Sequence, residues 1–325
     1  MARGEFARIR DWLKPLASAP NAIRDLQSQL WVGSGDDACV VAPDQPLVMS
    51  VDMAVAGIHF PEAATAQQIA SKSLRAALSD LAAMGARPWF YTMALQVPST
   101  YPETWWRDFS KQLQQENALW GVQCLGGDLV AGAPLTLSVQ VHGLSSSPLT
   151  RSGAQWGDTL WLTGKVGGAA LGLQQILAGS TPSKALQAAF YEPPLPLAWM
   201  SHAASYLHAA IDISDGLLAD LTHLLTASGV AADIVLDAVP ILSEWQPRTI
   251  EDWVLPLTGG EDYQVLFTAP ESSRQQLIAS AEDFQQPLYA IGEIRPGSGY
   301  TLHWQGQTVN WPEHQQGYDH FDSAN

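Results

Sequence analysis

The spacing of apolar and polar positions divides the chain into short β-branched runs and longer stretches of helical period. Ile69, Leu74, Leu78 and Leu81 recur on one side of a segment that Thr65 can cap, which predicts a helix over residues 66–84. Gly85 ends that helix and Pro88 forbids its continuation. Phe6, Ile9 and Leu13 predict a first helix over 4–16, and a looser one follows over 21–31. Residues 101–117 read as a helix whose Trp105, Trp106 and Phe109 belong to a core. Val40-Val41 and the run 47–51 read as two strands paired across a turn, and further strands are predicted over 90–97, 135–143, 159–163 and 209–211. Leu217, Leu221, Leu224 and Leu225 share one face of a helix over 217–227.

The apolar runs repeatedly end in aspartate. Gly33-Ser34-Gly35-Asp36-Asp37 leads into Ala38-Cys39-Val40-Val41, and the same construction recurs at Val51-Asp52, Leu78-Ser79-Asp80, Gly126-Gly127-Asp128 and Ile211-Asp212-Ile213-Ser214-Asp215. Any one of these is ordinary turn chemistry. Repeated, they describe a scaffold that presents carboxylates at the ends of secondary structure. Asp80 falls in the last turn of its helix, where a carboxylate opposes the helix dipole and suits an external cation. Gly259-Gly260-Glu261-Asp262-Tyr263 repeats the glycine-plus-acid theme. Gly164-Lys165-Val166-Gly167-Gly168 imitates a phosphate loop but fails its pattern, because Val166 stands where Ser or Thr is required; it reads as a strand-to-helix turn.

Composition narrows the chemistry. A length of 325 residues with 46% hydrophobic positions supports two domains, and Ser145-Ser146-Ser147-Pro148 is the best boundary, giving 1–147 and 148–325. No apolar span approaches the roughly 18 residues a membrane helix needs, and the N-terminus lacks a signal-peptide core, so the expectation is a cytoplasmic protein with no membrane partner. The 32 acids against 16 bases, a net charge of −16, leave no basic stripe for nucleic acid. Two distant cysteines, Cys39 and Cys124, give neither a disulfide framework nor a Cys-based zinc site.

Aspartates with few histidines suit hard, oxygen-loving ions. Mg²⁺ takes one or two carboxylates per ion and completes its shell with water and phosphate oxygens, so several Asp loops point to several Mg²⁺ ions around a polyphosphate. That favours phosphoryl transfer, in which positioning and charge neutralisation supply most of the catalysis. A nuclease or phosphatase would use similar ions. A metal-stabilised binding protein is the non-enzymatic alternative, but no twelve-residue loop of alternating ligands is present.

The ordered set of motifs resembles the thiamine-monophosphate kinase family of the aminoimidazole-ribonucleotide-synthetase-like ATP-binding superfamily. The matching segments are Gly4-Glu5-Phe6, Gly35-Asp36-Asp37-Ala38, Asp52-Met53 with Gly57-Ile58-His59-Phe60, residues 78–86, Gly126-Gly127-Asp128, Thr150-Arg151-Ser152-Gly153, residues 212–217, Gly259-Gly260-Glu261-Asp262-Tyr263 and Gly317-Tyr318-Asp319-His320-Phe321. The resemblance implies a two-domain α/β (α+β) fold whose N-terminal half completes a β-barrel across a homodimer, with the nucleotide in the cleft between the halves. It implies transfer of the γ-phosphate of ATP to thiamine phosphate, giving thiamine diphosphate. Other ATP-dependent enzymes of the superfamily are the alternative.

It further implies that Asp36, Ser50, Val51, Asp52, Asp80, Asp128, Asp212 and Asp215 serve Mg²⁺. Gly127, Asp128, Arg151 and Ser214 are implied for ATP, and His59, Glu261 and Tyr318 for thiamine phosphate. The bland roles are a structural histidine for His59, a turn cap for Glu261, core packing for Tyr318 and a surface ion pair for Arg151. No general base or covalent nucleophile is expected, because a phosphate ester with its second ionisation near 6 is already largely anionic at neutral pH. The chain departs from the family pattern at Ser50-Val51, at Ala77 and at Leu129-Val130. Val51 lacks the hydroxyl usual there, which leaves its backbone carbonyl.

Overall fold

The computed structural model describes residues 5–17, 28–33 and 38–311. These described residues fall into two compact units, one holding those up to Leu81 and Ala86–Ser146, the other Ala82–Gly85 and those from Ser147 onward.

In the first unit the N-terminal stretch is not one regular helix. It opens as α1 (Glu5–Arg8), loosens to a π-turn over Ile9–Leu13 and tightens to 3₁₀ geometry over Lys14–Ala17. Pro15 cannot donate an N–H, which fits the change of pitch there. β1 (Leu30–Val32) and β2 (Val40–Val41) form a two-stranded antiparallel pair. Val40-Val41 therefore does not pair with the following strand, contrary to the sequence reading. β3 (Leu47–Val55) instead lies at the edge of a four-stranded sheet. Local turn chemistry cannot choose between a near and a distant partner. Here the distant one offers nine continuous pairs, from Leu47 opposite Leu144 to Val55 opposite Thr136.

Helix α2 (Ala66–Ala83) follows β3. Thr65 and Gln68 form a reciprocal cap: the Gln68 backbone N–H donates to the Thr65 hydroxyl and the Thr65 backbone N–H donates to the Gln68 side-chain Oε1. β4 (Arg87–Val97) leads to α3 (Glu103–Trp120), which Gly121 stops at a φ of 68°. β5 (Cys124–Ala131) then runs parallel to β4, with α3 as the crossover, and β6 (Thr136–Leu144) closes the sheet in the order β3-β6-β4-β5. Trp106 and Phe109 are buried in the core as expected, whereas Trp105 is only partly buried and stacks on Phe109. A separate cluster of Trp89, Phe90, Leu125 and Leu144 packs against Leu30, Cys39, Val41 and Leu47, so it fastens the β1–β2 pair to the larger sheet.

The second unit is built on a seven-stranded mixed sheet. Its elements are β7 (Asp158–Leu162), α4 (Gly168–Leu177), α5 (Lys184–Tyr191), α6 (Leu197–Ala203), β8 (Ala209–Asp212), α7 (Leu217–Ser228) and β9 (Ala231–Val235). They continue with α8 (Val254–Thr258), β10 (Val265–Pro270), α9 (Arg274–Asp283), β11 (Tyr289–Arg295), β12 (Gly299–Trp304) and β13 (Gln307–Val309). The strand order is β13-β12-β9-β11-β7-β10-β8. Its main core joins Leu160, Leu162, Ile211 and Leu266 of the strands to Leu217, Leu221, Leu224 and Leu225 of α7. No described helix is long and apolar enough to cross a membrane. The described residues form no closed barrel.

Candidate active site

In the first unit β3 and α2 bring three of the expected residues near one another. The Ser50 hydroxyl donates to Asp80 Oδ2 at 2.5 Å. Asp52 stands two positions further along β3, on the same face as Ser50, because side chains of a strand alternate. Val51 projects from the other face with Met49 and Met53, and the three are 58%, 59% and 57% exposed. Any metal contact at Val51 thus falls to its backbone carbonyl.

Asp128 lies within β5, in register with Ala94, Ser138 and Met53 across the sheet. It shares the exposed face of Val51, opposite that of Ser50 and Asp52. Gly127 beside it is indispensable: an added Cβ would stand 1.9 Å from the Met93 carbonyl oxygen. Of the two substitutions that follow, Leu129 is buried and Val130 exposed, and Ala77 is fully buried in α2.

His59 sits in the turn after β3. Its Nδ1 accepts the Val55 N–H at 3.1 Å. A nitrogen that accepts carries no proton, so the neutral ring holds its hydrogen on Nε2 and presents a donor there. Asp36 and Tyr318 lie outside the described residues.

In the second unit β8 ends in the buried Asp212, and the loop Ile213-Ser214-Asp215 runs on into α7. Asp220, which the sequence reading passed over, organises this loop. Its Oδ2 accepts both the Ser214 N–H at 3.0 Å and the Asp215 N–H at 3.1 Å. Burial, with Asp212 and Asp215 nearby, pushes its carboxyl up to about 8. A signal was available: Asp220 stands three after Leu217 and four before Leu224, on the apolar face of the helix, where an acid must find partners.

The Gly259-Gly260-Glu261-Asp262-Tyr263 turn rests against the same loop. The Glu261 N–H donates to the Ser214 carbonyl and the Tyr263 N–H to the Ile213 carbonyl, each at 2.8 Å. A Cβ on Gly260 would meet the Ser214 oxygen at 2.1 Å, which explains the glycine. Asp262 is buried and turned away from the loop. Its Oδ2 accepts the Gly167 N–H at 2.7 Å and its Oδ1 the Ala169 N–H at 3.3 Å, at the start of α4. The phosphate-loop imitation at 164–168 is therefore capped by a carboxylate of the protein itself. Burial raises the Asp262 carboxyl to about 7 against the pull of these N–H groups. Arg151 is exposed, and its carbonyl accepts the Ser228 hydroxyl at 2.9 Å.

Among the described residues no three His, Cys, Asp or Glu side chains group closely enough to hold a metal ion. Ser50, Asp52, Asp80 and Asp128 lie in the first unit; Asp212 and Asp215 lie in the second.

Residues 35–145 match the N-terminal domain of AIR synthase related proteins and residues 155–305 match their C-terminal domain. The class is thus a mixed α/β protein with both AIR synthase related domains in sequence. The chain is 34% identical to thiamine-monophosphate kinase of Salmonella typhimurium over 99% of each chain. It superposes on the crystal structure of thiamine-monophosphate kinase from Stenotrophomonas maltophilia at 33% identity, covering 95% of this chain and 99% of that one, with a TM-score of 0.82. It also superposes on AaThiL complexed with AMPPCP and TMP at 26% identity, covering 98% and 97% of the two chains, with a TM-score of 0.74. The chain belongs to the thiamine-monophosphate kinase family.

Proposed function

We propose that this protein is the kinase that phosphorylates thiamine phosphate at the expense of ATP, forming thiamine diphosphate. The observation that carries the reading is identity of 34% to a thiamine-monophosphate kinase over 99% of both chains. The complex of AaThiL with AMPPCP and TMP supports the choice of both substrates.

The donor chemistry fits Mg²⁺. Ser50, Asp52, Asp80, Asp128, Asp212 and Asp215 offer hard oxygen atoms, and Asp36 would add another. When bound, Mg²⁺ supplies charge neutralisation between the two phosphorylated substrates. Gly127, Asp128, Arg151 and Ser214 are proposed to hold the nucleotide, with Arg151 as the cation for its phosphates. His59 would donate from Nε2 to the phosphate of the acceptor. Glu261 would face the thiazolium charge, and Tyr318 would lie against the heterocycle. The attacking phosphate oxygen needs no general base, since it is mostly ionised at neutral pH.

The finer architecture is a homodimer whose N-terminal sheets close into a barrel. The exposed apolar residues Met49, Val51 and Met53 on β3, which is an edge strand among the described residues, support it, because an exposed apolar face of this kind invites a second chain.

A coupled assay of ADP release tests the function. Thiamine phosphate is expected to be the preferred acceptor in the presence of Mg²⁺. Asp80→Asn, which keeps the shape and removes the charge, should lower turnover at least a hundredfold, on the order of 2.7 kcal/mol. Near-normal turnover of that variant at saturating Mg²⁺ would reject the metal role of Asp80.

A further inference from the structure

Two residues of the 259–263 turn adopt left-handed backbone angles without being glycine: Glu261 at a φ of 74° and Tyr263 at 50°. Each such angle is strained for a residue with a Cβ and persists only when the surroundings impose it. Here they do. Asp262, between the two, is anchored to the start of α4 by the Gly167 and Ala169 N–H groups. The N–H groups of Glu261 and Tyr263 are held by the Ser214 and Ile213 carbonyls. The alternation sends Asp262 inward and leaves Glu261 and Tyr263 side by side. The Tyr263 hydroxyl then donates to Glu261 Oε2 at 3.0 Å. Tyr263 is itself 8% exposed, so its ring is fixed by packing.

We propose that Tyr263 is a positioning residue: its hydroxyl holds the Glu261 carboxylate in the orientation that receives the cationic ring of the acceptor. Glu261 is a long side chain with several rotatable bonds. Left alone, it would lose conformational freedom each time the acceptor binds. A buried, rigid phenol bonded to one carboxylate oxygen removes much of that freedom in advance. The strain in the turn is the cost of placing both side chains on one side of a backbone whose middle residue is anchored. The inference rests on the assignment of Glu261 to the acceptor made above.

Three variants separate the possibilities: Tyr263→Phe, Glu261→Gln and the two together, each with KM for thiamine phosphate and for ATP measured separately. Tyr263→Phe removes one oxygen from a packed ring, so the fold should persist; a thermal melt verifies it. It is expected to raise KM for thiamine phosphate about tenfold, the scale of one hydrogen bond to a charged group, and to leave KM for ATP unchanged. Glu261→Gln should raise the same constant. In the double variant the loss of the hydroxyl should cost nothing further, because the tyrosine acts only through Glu261. Full additivity of the two changes, or equal effects of Tyr263→Phe on both substrates, would overturn the positioning role. Unaltered use of thiamine phosphate by Glu261→Gln would instead overturn the assignment of Glu261, and the inference with it.

Discussion

At the scale of single residues, the acids that shape the site are not only those expected to meet the substrates. Asp52, Asp80, Asp212 and Asp215, the proposed Mg²⁺ ligands, stand out in the sequence because each ends an apolar run. Asp220 and Asp262 do not end an apolar run: Asp220 sits on the apolar face of α7 and bonds the nearby Ser214 and Asp215 N–H groups, whereas Asp262 bonds N–H groups at the distant start of α4, which leaves no local trace. Asp262 carries a consequence for pH. Its carboxyl titrates near 7 in the folded protein against an ordinary value of 3.8. Below about 4 it is protonated in both states. Between these values the unfolded chain releases the proton and the folded protein keeps it, so this residue's contribution to stability falls as pH rises from about 4 to about 7. Urea denaturation of the metal-free protein at pH 5 and pH 8 measures the change. Asp262→Asn should show a smaller decline than the wild type, even though its amide satisfies only one of the two N–H groups. An identical decline would remove Asp262 as the source.

At the scale of elements, helices whose boundaries depend on nearby residues were the most legible. The Thr65–Gln68 cap and Gly85 bracket α2 within one residue of expectation. Strand pairing was less legible: β2 went to β1 and β3 to β6, since period-two patterns name a face but not a neighbour. The packing of α2 on α3 was also hidden, because it depends on a polar cluster within an apolar interface. Glu116, 1% exposed, accepts Arg75 Nε at 2.8 Å, the Ser71 hydroxyl at 2.9 Å and Trp120 Nε1 at 2.8 Å. Arg75 in turn lies 5.4 Å from the Trp120 ring. Glu116→Ala would leave a buried guanidinium without its counter-ion and should destabilise the protein by about 3–5 kcal/mol. Chemical denaturation monitored by tryptophan fluorescence measures it, and a loss below about 1 kcal/mol would mean that water reaches Arg75 readily.

At the scale of the whole molecule, the edge strand β3 carries two kinds of surface. One face holds Ser50 and Asp52; the other holds Met49, Val51 and Met53. If the apolar face joins a second copy, Met53→Lys should shift the protein towards monomer in sedimentation velocity while the melting temperature changes little. An unchanged dimer would place the interface elsewhere, and a wild-type monomer would remove it. The strand has nine residues, and the alternation leaves each of its functions at every second position. One methionine can therefore be exchanged for another apolar residue without touching the carboxylate face. A single residue inserted near the start of β3 would do what no substitution does: it would exchange odd for even, turning the methionines towards Asp80, and Ser50 and Asp52 outward. Two inserted residues would restore the assignment. What β3 must conserve is thus parity of length, a property that no individual side chain carries.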